Sequence, residues 1–165
     1  MTERLPAVPC IGWVRQLLEV YVTLTMRTTE GRERAYSWDL RARAQDVEGW
    51  RRAVGEAVGV LGGDADAVAL ARLGVSELLA NVVRHVDDPR CCLLVEEEQG
   101  LLYVRVFDRS RDAPAVTMPD WDAESGRGLW LLREMTDAFG YTCTPGGKWV
   151  WFRCRRAGED AGEKA

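Results

Sequence analysis

Histidine is nearly absent from this chain, and the cysteines do not pair off. A single histidine among 165 residues excludes a metal site built from several histidines. The five cysteines are odd in number and none has CxxC spacing, so they fit neither a zinc site nor a complete set of disulfides. We therefore expect reduced, mostly buried thiols in a cytoplasmic protein. The cysteines are Cys10, Cys91, Cys92, Cys143 and Cys154.

The chain also lacks an excess of positive charge and a long apolar run. Its 22 basic and 26 acidic residues give a net charge of −4, which does not favour direct contact with nucleic acid. The apolar stretch at residues 11–26 contains Arg15, Gln16 and Glu19. It is too short and too charged to cross a membrane, and no secretory leader is recognisable. We expect neither a membrane nor a nucleic-acid partner.

The apolar pattern predicts a strand, two helices, a β-hairpin, a long loop, a helix and a final hairpin. Antiparallel strands with helices on one face make a two-layer α+β sandwich. Residues 35–154 would form this domain, after an N-terminal extension at 1–34 (a hairpin or a dimer arm) and before a disordered tail at 155–165. The predicted elements are strands at 20–26, 35–42, 91–98, 101–109, 141–144 and 148–154, and helices at 46–61, 64–86 and from 129 to Gly140.

Three polar residues lie on one face of the second predicted helix. Glu77, Asn81 and His85 recur every fourth residue in an otherwise largely apolar segment. A carboxylate and a carboxamide in such surroundings cost free energy unless something satisfies them, for example Mg2+ and phosphate. Two simpler explanations stay open. Glu77 would pair with Arg84 or face water, and His85 would stabilise the helix C-terminus through the dipole.

Asp108 continues the apolar face of the strand at residues 101–108. It follows Leu102, Val104 and Val106 at alternate positions, so its side chain points the same way. A carboxylate at the end of a buried stripe needs a donor, such as a bound amine or an ordered water. The alternative is an ordinary strand-end aspartate that starts a turn.

Two glycines stand where the third helix begins. Gly126 and Gly128, on either side of Arg127, would let backbone N–H groups approach an anion closely. Arg127 would add a charged contact to phosphate. The segment is not a Walker A loop, which the sequence lacks, nor does it follow a strand as a dinucleotide-binding GxGxxG does.

In this order, the segments resemble the Bergerat-fold, histidine-kinase-like ATPase (GHKL) superfamily. Residues 75–85 (VSELLANVVRH) are similar to its N box, 106–110 (VFDRS) to its first glycine box and 124–132 (ESGRGLWLL) to its second. Residues 147–151 (GKWVW) are similar to its closing strand motif. The resemblance covers roughly residues 35–154. Within the superfamily it is greatest to the small bacterial anti-sigma-factor kinases.

The resemblance implies ATP and Mg2+ as ligands and gives each site residue a role. Asn81 would bind Mg2+, and Glu77 would be the general base. Asp108 would accept a hydrogen bond from the adenine amine, while His85 would keep a structural or nucleotide-edge role. The remaining nucleotide-binding residues, beneath a lid at 111–125, would be Ser110, Gly126, Arg127, Gly128 and Leu129.

The resemblance also implies partners. The protein would be a serine/threonine kinase that phosphorylates a STAS-type anti-sigma antagonist and sequesters a sigma factor, in a group that commonly forms homodimers. Two departures favour an alternative, a partner-switching module with weak or no kinase activity. The first glycine box usually reads DxGxG, and here both glycines are missing from residues 108–112. Lys148 also replaces a threonine that often lies beside adenine.

Overall fold

The computed structural model describes residues 34–114 and 127–154. The predictions for nearly all of the N-terminal extension, for most of the lid, for Cys10 and Gly126, and for the C-terminal tail lie outside these described residues. The elements are β1 Ala35–Arg41, α1 Val47–Val60 after a short 3-10 turn at Ala44–Asp46, α2 Ala65–His85, β2 Arg90–Glu98, β3 Leu101–Asp108, α3 Gly128–Met135, β4 Phe139–Thr144 and β5 Gly147–Cys154.

The five strands form one antiparallel sheet in the order β1-β2-β3-β5-β4. On β3, Leu102, Val104 and Val106 are buried in the core, and Val150 and Phe152 of β5 lie beside them. The helices contribute the other half of this core, and α2 packs on β3 and β5. This confirms the predicted two-layer α+β architecture.

The long helix α2 forms because its start is capped and one side is apolar. Asp64 precedes the helix in an extended conformation, and its carboxylate accepts a hydrogen bond from the Ala67 backbone N–H at 2.8 Å. The helix ends at His85, where Val86 becomes extended. Gly74 lets α2 approach the sheet, because a side chain there would overlap the Phe152 ring. The buried positions of the helix are Ala67, Ala71, Gly74, Val75, Leu78, Leu79 and Val82.

The predicted end of the third helix was wrong. We expected the helix to run to Gly140, but α3 ends at Met135 and Thr136 is already extended, with ψ of 151°. Phe139 instead begins β4 and pairs with Phe152 of β5. The residues at 129, 132, 135 and 139 fit helical spacing. Pairing with β5 nevertheless satisfies the Phe139 backbone, and it places the half-buried Phe139 ring against the core. Met135 is left 57% exposed.

Gly147 should be indispensable for the turn that leads into β5. Its φ is +155°, and a Cβ there would collide with the backbone carbonyl oxygen of Asp108. We expect Gly147→Ala to lower the free energy of unfolding by about 2 kcal/mol or more, from backbone strain and the clash together. Urea denaturation would measure it. Gly146→Ala is the matched control, because its Cβ would meet only Phe107 at 4.0 Å. Equal losses for both variants would contradict this account.

Candidate functional site

A buried ion pair lies at the end of the sheet where β3 finishes and β5 begins. Asp108 and Lys148 are directly opposite in the strand register, and both face the helices. The Lys148 ammonium lies 2.8 Å from Asp108 Oδ1, and the two side chains are 2% and 1% exposed. The Ser110 backbone N–H donates to the same Oδ1 at 2.9 Å. One oxygen of the carboxylate is therefore fully engaged by the protein.

The other carboxylate oxygen of Asp108 is different. Oδ2 is buried and accepts no hydrogen bond from residues 34–114 or 127–154. A buried acceptor without a donor costs roughly 1–3 kcal/mol, so native proteins rarely retain one without a use. The turn that Asp108 starts, through Ser110, uses only Oδ1. The turn interpretation of Asp108 is therefore confirmed. Its role as an acceptor for a bound amine stays a prediction.

The three polar residues on one face of α2 differ in how far they are exposed. Glu77 and Asn81 are half-buried, and His85 is exposed in the last turn of the helix. Within the ranges 34–114 and 127–154, the Glu77 and Asn81 side chains make no hydrogen bond, and the pairing of Glu77 with Arg84 does not occur. His85 lies where a positive charge interacts favourably with the helix dipole. The two inner residues keep their polar groups available for a ligand.

Glu77 lies directly against the start of α3. A Cβ at Gly128 would overlap the Glu77 carboxylate, so only glycine lets these two residues approach so closely. Gly128 is the first residue of α3, whose leading backbone N–H groups carry partial positive charge. Helices α2 and α3 pack together here. A carboxylate and an anion-favouring helix start thus meet at one place, although Glu77 and Gly128 are far apart in sequence.

A charged cluster lies between the end of α2 and the end of β3. Asp88, in the connection between α2 and β2, binds Arg90 at 2.7 Å and Arg109 at 3.2 Å. The hydrogen bond from the Arg90 side chain, helped by the nearby Arg109 charge, lowers the pKa of Asp88 to about 2. Asp88 is therefore ionised at neutral pH. The cluster ties the end of α2 to the residue that follows Asp108.

The buried thiols Cys91 and Cys154 are not nucleophiles. Burial, with smaller contributions from Cys92 and Asp108, raises the pKa of Cys91 to about 12. Burial likewise raises the pKa of Cys154 to about 12. Both stay protonated at neutral pH, and protonated thiols react slowly. Of the four described cysteines, three are buried and Cys143 is exposed, and none of the four forms a disulfide.

The structure brings some of the predicted site residues together at two places. Asp108 and Ser110 lie with Lys148 at the sheet end, and Glu77 lies against Gly128. The Leu129 side chain is buried in the core, so only its backbone is left to face a ligand.

The sequence pattern identified Lys148 only as a departure from a family motif and did not predict its ion pair with Asp108. The signal was its alternation with Val150, Phe152 and Cys154, which places it on the buried face of β5.

The described residues do not contain a ready-made protein cage for a metal. No group of three or more His, Cys, Asp or Glu side chains gathers within residues 34–114 and 127–154. Mg2+ in phosphate-transfer sites commonly takes one or two protein oxygens and fills the rest with phosphate and water. The half-buried Asn81 amide fits that mode.

In the same part of the chain, residues 34–114 and 127–154, no helix is long and apolar enough to cross a bilayer.

Comparisons with known proteins agree with this fold. The family described as a histidine kinase-like ATPase domain matches residues 40–154. A crystal structure of the RsbU and RsbW domains of a Mycobacterium tuberculosis protein is similar, with a TM-score of 0.56 and 17% sequence identity. The similarity covers 74% of this chain and 32% of that one, so this chain spans about a third of that structure's length. No curated protein matches this chain.

Proposed function

The chain belongs to the histidine kinase-like ATPase domain family, and on that premise we propose that it is an ATP-dependent protein serine/threonine kinase. Its substrate would be a STAS-type anti-sigma antagonist, and it would also sequester a sigma factor. One observation carries the kinase part: Glu77, half-buried and without a hydrogen-bond partner in the described residues, lies against the first residue of α3. Sequestration alone needs no base at that position.

The adenine end of the site would be Asp108. Its unused Oδ2 is a buried acceptor, and the adenine amine is a donor that fits it. Oδ1 is held by Lys148 and by the Ser110 backbone, so the carboxylate cannot rotate away from its ligand without breaking two contacts. Adenine binding would therefore satisfy an acceptor that the fold leaves unsatisfied.

The phosphate end would lie between α2 and the start of α3. The Asn81 amide oxygen would hold Mg2+, which supplies charge neutralisation to the phosphates when bound. Gly126, Arg127, Gly128 and Leu129 would contact the phosphates through backbone N–H groups and the Arg127 guanidinium. The missing side chain at Gly128 leaves the space that the Glu77 carboxylate occupies.

Glu77 would act on the attacking group. Its carboxylate would accept the proton of the substrate serine hydroxyl while that oxygen bonds to the γ-phosphorus of ATP. The bond between the γ-phosphorus and the bridging oxygen breaks, and ADP leaves. The products are phosphoserine, ADP and a protonated Glu77, which returns its proton to solvent.

The choice of partners rests on the motifs. Residues 75–85, 106–110, 124–132 and 147–151 resemble the small bacterial anti-sigma-factor kinases, and the similarity to a structure containing an RsbW domain supports the same choice. A cytoplasmic homodimer would be the working form. The second candidate, a partner-switching module without transfer, is favoured by one observation: Lys148 already occupies one oxygen of Asp108.

A transfer assay separates the two candidates. We expect the purified chain, with Mg2+ and γ-labelled ATP, to label a cognate STAS-domain protein on serine or threonine. The control is the same STAS protein with its acceptor serine replaced by alanine, which should stay unlabelled. Binding of Mg-ATP without transfer to any STAS partner that the chain binds would overturn the kinase proposal and leave the partner-switching module.

A further inference from the structure

Strand β1 lies at one edge of the sheet. It pairs with β2 on one side, and among residues 34–114 and 127–154 no strand pairs with its other side. The seven residues of β1 therefore present a row of backbone N–H and C=O groups along that edge. Native proteins usually shorten, charge or cover such an edge, because an open one pairs readily with other chains.

Two hydrogen bonds at the ends of β1 show which of its backbone groups point outward. The Glu97 N–H donates to the Arg34 carbonyl oxygen, and the Ala42 N–H donates to the Pro89 carbonyl oxygen. Backbone groups of successive residues in a strand point to opposite sides, so the even-numbered residues from 34 to 42 bond to β2. The odd-numbered residues face the open edge, and they are Ala35, Ser37, Asp39 and Arg41.

A buried donor without an acceptor lies on the same strand. Trp38 is 4% exposed, and its ring packs against Tyr36 and Trp50 on the side of the sheet that faces the helices. Within the described ranges, its indole Nε1–H donates to no acceptor. Such a donor is unfavourable, so an acceptor placed beside β1 on this side would stabilise the fold.

The sequence directly before β1 has the pattern of a matching strand. The described chain begins at residue 34, so residues 1–33 reach the sheet at the start of β1. Residues 20–26 (VYVTLTM) are rich in β-branched side chains, and Gly31 follows them. A hairpin loop of Gly31 and Arg32 would suit a type II′ turn, which takes glycine at its first loop position.

This loop agrees with the direction of the backbone groups of β1. It requires the odd-numbered residues of β1 to bond to the new strand, for example Ser37 to Met26, and these residues do face the open edge. A loop of residues 30–31 would require the even-numbered residues, which already bond to β2. Of the two possible two-residue loops that contain Gly31, only the first therefore fits the structure.

We propose that residues 22–28 add a strand to the sheet along β1, and that Thr25 accepts a hydrogen bond from the Trp38 indole. In this register Thr25 lies directly opposite Trp38 and on the same side of the sheet. The backbones of this pair are not hydrogen-bonded to each other, so the two side chains come close. The Thr25 hydroxyl oxygen then supplies the acceptor that Nε1–H lacks. The inference is independent of the proposed kinase activity.

The side of the sheet that faces away from the helices agrees with this register. Val22, Leu24 and Met26 would lie there, in line across β1 with Cys92 and Leu94 of β2. These two β2 residues are each 8% exposed. The new strand would therefore extend a part of the sheet surface that is already apolar.

Amide hydrogen exchange followed by NMR on the full chain tests the pairing. We expect the backbone amides of Ser37, Asp39 and Arg41 to exchange at least about 100-fold more slowly than in an unstructured peptide. Leu24→Pro removes an N–H that would donate to the Asp39 carbonyl oxygen, so it should abolish this protection. Thr23→Pro is the matched control and should keep it, because the Thr23 N–H would point to solvent.

A second pair of variants tests the side-chain contact. Thr25→Val keeps the side-chain shape and removes the acceptor, so exchange of the Trp38 indole N–H should accelerate by about tenfold. Protection of the Ser37 amide should remain. Thr25→Ser restores a hydroxyl and should return the indole exchange towards the wild-type rate. Trp38→Phe identifies the indole resonance, and the amide of the buried Val104 in β3 reports whether each variant is folded.

Three results would overturn the inference. The first is wild-type exchange at Ser37, Asp39 and Arg41 as fast as in an unstructured peptide. The second is equal loss of protection in Leu24→Pro and Thr23→Pro, which contradicts the register. The third is protection that disappears on dilution, because the strand would then come from a second copy of the chain. Each of these leaves the proposed kinase function standing, since none of the measurements involves nucleotide or phosphate transfer.

Discussion

Glu77→Gln should reduce phosphoryl transfer by about 100- to 10,000-fold, the range that a positioned general base contributes, with ATP affinity nearly unchanged. The amide keeps the size of the carboxylate, so the contact with Gly128 at the start of α3 is retained. What disappears is the ability to accept the proton of the attacking hydroxyl. Because Glu77 has no hydrogen-bond partner within the described residues, its replacement should not unfold the domain.

Initial rates of phosphate transfer and titration calorimetry with ATP would be measured together on this variant. Glu56→Gln is the matched control, since Glu56 is an exposed glutamate on α1. It should leave both quantities unchanged. If Glu77→Gln lost ATP binding as completely as Asn81→Ala, Glu77 would be a binding residue and the division of roles between the two would be wrong.

Asn81→Ala should remove the Mg2+-dependent part of ATP binding. An amide oxygen is a suitable ligand for a hard cation, whereas the methyl group of alanine cannot bind one. We expect ATP affinity in Mg2+ to fall by about 100-fold, because losing one ligand also loses the bridge to the phosphates. In EDTA the variant and the wild type should bind ATP almost equally, which separates metal binding from damage to the pocket.

The experiment is a set of four titrations, with each protein measured in Mg2+ and in EDTA. Arg84→Ala, an exposed change on the same helix, serves as the control and should keep the Mg2+ dependence. The same Mg2+ dependence in Asn81→Ala and in the wild type would remove Asn81 from the metal site. Circular dichroism would verify that α2 stays intact, as expected for alanine inside a helix.

The sequence determined the features that depend on neighbours a few residues apart. Helical spacing placed Glu77, Asn81 and His85 on one face of α2, and alternation placed Asp108 on the buried face of β3. Both patterns act over two to four residues, where backbone geometry alone sets which way a side chain points. The same reasoning failed at Phe139, because a helical spacing that continued by chance was outweighed by pairing with β5.

Only the tertiary structure determined which residues distant in sequence are in contact. Asp108 and Lys148 are forty residues apart, and it is the register of β3 on β5 that sets them face to face. Glu77 approaches Gly128 only because α2 packs against α3. A local sequence pattern cannot predict a contact between residues so far apart in the chain. A sequence states which groups are buried, since burial follows periodicity. Whether a buried group is satisfied depends on donors that distant segments bring in. At Asp108, the described part of the chain supplies donors to one carboxylate oxygen and none to the other.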